Sequence, residues 1–215
     1  MPYRLFIPRD YDPRRSYPLV VYLHGSGGLG SDNLKQISSA NAYGPRFFMS
    51  QAVQSKHPAL ILAPQAPNGT AWSSSGPGST LSFPARLMVE IVQALQREYS
   101  IDASRLYITG QSLGGFGTWD IITRRPDLFA AAAPLCGGGR PDAAKAIKHI
   151  PIWAFHGAAD DNVPVERSRE MVAALRNLGS TIRYNEYPGI GHPVWVRAYT
   201  NPALIEWMFA QHRSQ

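Results

Sequence analysis

The segment Gly110-Gln111-Ser112-Leu113-Gly114 is a G-x-S-x-G match placed between a strand-like run and a helix-like run. In that setting the motif describes a sharp turn that lifts a serine hydroxyl off the end of a sheet, with glycines where side chains would collide. A serine hydroxyl is a weak nucleophile and needs a neighbouring base. His192 suits that role, because it follows the last strand-like run in Gly189-Ile190-Gly191-His192, where glycines let the chain bend back. His57 and His149 lie in connecting segments and His212 lies near the C-terminus, so none of these follows a strand in the required order. The imidazole in turn needs an acid to hold its tautomer. Asp160 and Asp161 both follow His156-Gly157, and position alone leaves the choice between them open. Together these residues predict acyl transfer through a covalent serine intermediate.

Negative charge developing on a carbonyl oxygen must be met by backbone N–H donors. Leu113, next after the serine, is expected to supply one. The loop His24-Gly25-Ser26-Gly27-Gly28 supplies the other, through Ser26 or Gly27. The glycine run is not a phosphate cradle, since it lacks both the P-loop lysine and the dinucleotide spacing. Gln111, Trp72 and Trp195 are expected to contact substrate. For each tryptophan, packing of its own loop is an equal alternative. Cys136 reads as a small core residue. No cofactor is expected, and no metal, because the chain has no His-x-x-x-His or clustered cysteines.

Positioning these groups requires short apolar runs alternating with helices, the pattern of a mostly parallel sheet flanked by helices. Strands are predicted at residues 3–7, 19–23, 60–63, 105–109, 130–135, 152–155 and 181–187. Helices are predicted at 45–55, 84–99, directly after Ser112, at 142–148, 166–178 and 202–211. Leu87, Ile91, Ala94 and Leu95 form the expected apolar stripe of the second helix. Met171, Ala174, Leu175 and Leu178 form that of the fifth. The loops at 24–44 and 64–83 are long enough to expect a functional role.

The segments Leu19–Gly28, Gly110–Gly115, His156–Asp160 and Gly191-His192 with Trp195 resemble the α/β-hydrolase superfamily. They are closest to bacterial carboxylesterases, feruloyl or acetyl-xylan esterases, polyhydroxybutyrate-depolymerase-like proteins and predicted peptidases. The resemblance implies an α/β-hydrolase fold and ester hydrolysis. It also selects Asp160 as the acid, through an H-G-x-x-D segment followed by Val163-Pro164. Such proteins often carry an export signal ahead of the first strand, whereas here Met1 stands almost at it. An internal protein and one whose signal has been removed are both consistent with this start. A serine peptidase with the same triad, or an inactive hydrolase fold used for binding, are the competing functions. The large extra domain usual for such peptidases does not fit in 215 residues.

The bulk properties agree with one catalytic domain over residues 1–215, expected to be monomeric. The net charge of +6 comes from scattered basic residues with no run interleaved with aromatics, so no nucleic-acid partner is expected. The apolar runs are too short to span a bilayer, and no membrane partner is expected. One cysteine excludes an intrachain disulfide. Between the predicted strands ending at 135 and starting at 152 lie only sixteen residues, one helix included, too few for a lid. An open cleft is therefore expected, facing a small-molecule or polysaccharide-linked ester.

Overall fold

Every residue of Tyr17–Leu23 (β2) is buried, as a central strand covered on both faces requires. Leu19, Val21 and Leu23 point into one apolar layer with Met88, Val92 and Trp119. Val20 and Tyr22 alternate into the opposite layer with Phe48, Tyr199 and Met208. A computed structural model describes residues 1–74, 78 and 80–213, and the rest of the predicted 64–83 loop lies outside them.

Tyr3–Phe6 (β1), Leu60–Pro64 (β3), Ile101–Gln111 (β4), Ala131–Leu135 (β5), Trp153–Gly157 (β6) and Arg183–Tyr187 (β7) complete the sheet. The order is β1-β3-β2-β4-β5-β6-β7. β1 is antiparallel to β3, and the other pairings are parallel. The helices are Tyr43–Met49 (α1), Gln51–Gln54 (α2), Phe83–Glu98 (α3), Leu113–Arg124 (α4), Glu166–Asn177 (α5), Trp195–Ala198 (α6) and Pro202–Phe209 (α7). This is the α/β-hydrolase architecture, and the β5–β6 connection carries only the 3-10 segment Pro141–Ile147 and no lid.

Several predicted boundaries are corrected. The helix expected at 45–55 breaks at Ser50, whose backbone is extended and whose hydroxyl accepts the Val53 N–H to start α2. The stripe on α3 is Ala85, Met88, Val89, Val92 and Leu95, while Ala94 is exposed. Ser82 caps this helix through the Ala85 N–H, which fixes its start and its phase. On α5 the buried face is Ser168, Met171, Val172 and Leu175, and Leu178 lies past the helix end, exposed. The helix expected at 142–148 is 3-10 in type. β4 begins four residues before its apolar run, because Ile101 pairs with Tyr17 across a bulge whatever the polarity of Asp102 and Ser104.

Candidate active site

β4 ends at Gln111, and Ser112 turns the chain into α4 with φ 55° and ψ −118°. Such a conformation costs an ordinary residue about 1–3 kcal/mol and persists only where its surroundings enforce it. Here the Ser112 N–H donates to Leu135 O at 3.0 Å, pinning the turn to β5. Gly110 and Gly114 must be glycines, since a Cβ on Gly114 would run into Leu23 O and one on Gly110 into the Gly114 carbonyl.

His192 reaches this turn from the loop after β7. Gly157 lets that loop lie against the end of β6, where a Cβ would collide with the Ile190 and Gly191 carbonyls. The imidazole Nε2 is 2.9 Å from Ser112 Oγ. Its Nδ1 is 2.8 Å from Asp160 Oδ2 and 3.0 Å from Oδ1. With Nδ1–H donating to the carboxylate, Nε2 is left to accept the serine proton. The Asp160 side chain is fully buried. Burial pushes its pKa up, but N–H donors from Val163, His192 and Asn162 outweigh that and leave it below the usual carboxylate range. Asp161 is exposed beside it. The structure thus brings Ser112, His192 and Asp160 into one hydrogen-bonded run and leaves Asp161 out.

The residues expected to bind an oxyanion also gather here. Leu113 opens α4, so its N–H has no acceptor within the helix. Ser26 and Gly27 open the 3-10 turn Ser26–Gly28, where the Gly28 N–H closes back on Gly25 O. Gly25 lies so close to the serine that a Cβ there would be 3.6 Å from Ser112 Cβ.

Three polar residues that sequence reasoning passed over shape this loop. Asn41 Oδ1 accepts the Gly25 N–H at 2.8 Å. Gln65 Nε2 donates to Gly28 O at 3.1 Å. His24, fully buried, donates from Nδ1 to Gly25 O at 2.7 Å and accepts the Ala66 N–H at Nε2 at 3.0 Å. Burial drives its pKa down to about 4, so the ring is neutral. The one available signal in sequence was a histidine and a glutamine directly after two apolar strands.

The expected substrate contacts are placed differently from one another. Trp72 is fully buried, with its ring edge-on to His24 and its N–H donating to His24 O at 3.2 Å. Gln111 is buried as well, accepting from Tyr22 Oη at 2.9 Å and donating to Ala40 O at 3.1 Å. Both belong to the framework beneath the site rather than to its surface. Trp195 stands edge-on to His192 at 5.3 Å between ring centres. It helps line a cavity of about 740 Å³ together with Tyr43, Arg46, Phe47 and Pro193.

Cys136 is buried with φ 38°, its sulfur 3.3 Å from Ser112 N. Its Sγ and the ligand atoms of Asp160 and His192 lie within 4.8 Å of one another. The chemistry of this set does not suit a metal, because burial pushes the thiol pKa up and holds it protonated while Asp160 and His192 are bonded to each other. Among the described residues, no helix is long and apolar enough to cross a membrane.

Fold and site together define an α/β-hydrolase. The chain belongs to the prolyl oligopeptidase family, whose pattern it matches over residues 67–139 and 140–210. A probable feruloyl esterase C from Aspergillus terreus is 28% identical over 169 residues, 79% of this chain and 58% of that protein. A bifunctional acetylxylan esterase/xylanase from Neocallimastix patriciarum is 30% identical over 158 residues, 73% of this chain and 21% of that protein. The crystal structure of a thermostable esterase superposes with a TM-score of 0.93 and 43% identity, covering 98% of this chain and 59% of its own. The chain therefore spans 58% of that feruloyl esterase, 59% of the thermostable esterase and 21% of the bifunctional enzyme.

Proposed function

We propose that the protein is a serine carboxylic-ester hydrolase acting through an acyl-enzyme on short-chain, aryl or carbohydrate-linked esters. Residues 1–215 act in this reading as one catalytic domain and as a monomer. The observation that carries the proposal is the continuous run from Ser112 Oγ through His192 to Asp160 at 2.9 and 2.8 Å, on a strained turn between strand and helix.

In this reading Ser112 Oγ attacks the ester carbonyl while His192 Nε2 takes its proton. The resulting oxyanion is met by the N–H groups of Leu113 and of Ser26 or Gly27. Asp160 stabilises the imidazolium without taking its proton. Collapse of the intermediate sends the proton from His192 to the leaving alcohol. Water then attacks the acyl-serine with the same histidine as base. The cavity beside Trp195 would take one side of the ester, and its aromatic lining suits an aryl or sugar ring.

The chemistry of the triad is common to esterases and peptidases. The ester reading is supported by relatives named as feruloyl and acetylxylan esterases and by the thermostable esterase at 43% identity. A p-nitrophenyl ester series from acetate to palmitate, run beside peptidyl p-nitroanilides, tests it. Turnover should be highest for short acyl chains and low for the anilides. Anilide turnover matching that of the esters would overturn the ester reading. A preference for palmitate, or a rate jump as tributyrin passes its solubility limit, would overturn the open cleft.

A further inference from the structure

Asp160 has a second histidine partner. Its Oδ2, 2.8 Å from His192 Nδ1, is also 3.3 Å from Nε2 of His156. His156 is fully buried in β6, and the same Nε2 lies 3.0 Å from Val163 O. A carbonyl and an ionised carboxylate only accept, so His156 Nε2 must carry a proton. On the far side of the ring, Nδ1 is 2.7 Å from Ser168 Oγ, which is itself 2.9 Å from Gly137 O. A neutral ring accepts a hydrogen bond from the Ser168 hydroxyl at Nδ1. A protonated ring donates to Ser168 and turns that hydroxyl onto Gly137 O. In both forms Nε2–H donates to Val163 O, with Asp160 Oδ2 beside it at 3.3 Å.

Oδ1 of Asp160 accepts the N–H groups of Asn162 and Val163 at 3.0 and 2.9 Å, and Oδ2 faces both histidines. Three N–H groups donate to this carboxylate, and the protonated Nε2 of His156 stands beside its Oδ2 as a fourth, electrostatic neighbour. We infer that His156 is a positioning residue, whose Nε2–H draws on the same Asp160 oxygen as His192 and thereby sets the basicity of His192. This inference rests on the triad reading above.

The direction of the effect follows from charge. Without the His156 donor, Asp160 Oδ2 is more negative and holds a proton on His192 more firmly. Two further ionisable groups stand around this pair: Glu186, the register neighbour of His156 on β7, and Cys136, just past β5 and near Asp160. Glu186 is bound bidentately by Arg169 from α5 and accepts from Tyr184 Oη. That pairing keeps its charge occupied.

Two substitutions separate the two faces of the ring. His156→Gln places an amide nitrogen where Nε2 stood, whereas His156→Asn reaches only the Nδ1 position. NMR titration of the His192 ring protons, beside pH profiles of kcat/KM on p-nitrophenyl acetate, reads the outcome. His156→Asn should raise the His192 midpoint and the acid limb together by about one pH unit. His156→Gln should stay near the wild type, and so should Ser168→Ala, which spares Nε2. Identical His192 midpoints in wild type, Gln and Asn variants would overturn the inference. If the Asn variant does not fold, nitrogen-15 spectra of wild-type His156 across the His192 titration decide: an Nε2–H resonance that does not move as His192 titrates overturns the inference, and one that follows it supports it. A shifted His192 midpoint in an enzyme inactive on every ester would support the Asp160–His156 pair and sink the esterase reading, so the two fail separately.

Discussion

Asp160 and Asp161 are adjacent in the chain and opposite in circumstance: the first is buried against His192 Nδ1, the second is exposed. Asp160→Asn should therefore lower kcat by roughly 10⁴, since an amide no longer selects the right imidazole tautomer. Asp161→Asn should leave it nearly unchanged. Steady-state kinetics of the two variants check this, and the reverse ranking would move the acid by one residue.

In the proposed mechanism Ser112 is the nucleophile, and the same residue carries the backbone strain. Ser112→Ala should cost roughly 10⁶ in kcat, with little further loss when His192→Ala is added. Ser112→Gly should be equally inactive but more stable, because glycine adopts φ 55° without the penalty. Relief of about 1 kcal/mol raises the melting temperature by roughly 2–4 °C in a domain of this size. Calorimetry of the Ala and Gly variants compares them, and equal melting temperatures would mean that the turn stores no strain.

Trp72 lies beneath the 24–28 loop, against His24. Trp72→Phe removes the donor to His24 O and leaves a buried carbonyl short of a partner, a loss of about 1–3 kcal/mol. Denaturant midpoints should fall accordingly, while the ranking of esters by acyl length stays as in the wild type. A changed ranking would put Trp72 on the substrate surface after all.

His24 makes stability depend on pH. Its folded pKa of about 4 lies below the ordinary 6.5, so the unfolded chain binds the proton first as pH falls. Its contribution is complete above pH 6.5 and is lost progressively as pH drops towards 4, on the order of 3 kcal/mol at most. His156, also held below its ordinary value by burial, acts with the same sign. Asp160 extends the loss below the normal carboxylate range, because protonating it weakens the bonds it accepts from Val163, His192 and Asn162. Melting temperatures across this range should show a steady fall on acidification, flattened in His24→Gln.

The turn at Ser112 is legible in the sequence because its requirements are local: a strand, two crowded glycines, then a helix. The long-range pairs are not. His24, Asn41 and Gln65 hold the 24–28 loop through contacts between segments far apart in the chain, and no periodicity announces them. The phase of α3 was misread for a related reason. The helix carries apolar residues on two adjoining faces, and the cap at Ser82 with the sheet beneath decides which one is buried. Trp72, for which loop packing is the equal alternative in the sequence, and Gln111, expected to contact substrate, each spend their polar atoms inside the framework.

The sheet distributes the site unevenly. Ser112 is mounted on β4, which is hydrogen-bonded on both sides and buried through its second half. His192 hangs from the loop after β7, an edge strand of half-buried residues paired only to β6. Local opening begins where burial is least and backbone pairing is one-sided. On warming, the histidine arm should lift away while the nucleophile's strand remains locked, so that catalytic competence and global folding are governed by two different free energies. Thermal tolerance of activity is then set by the periphery of the sheet, and strengthening its centre would not extend it.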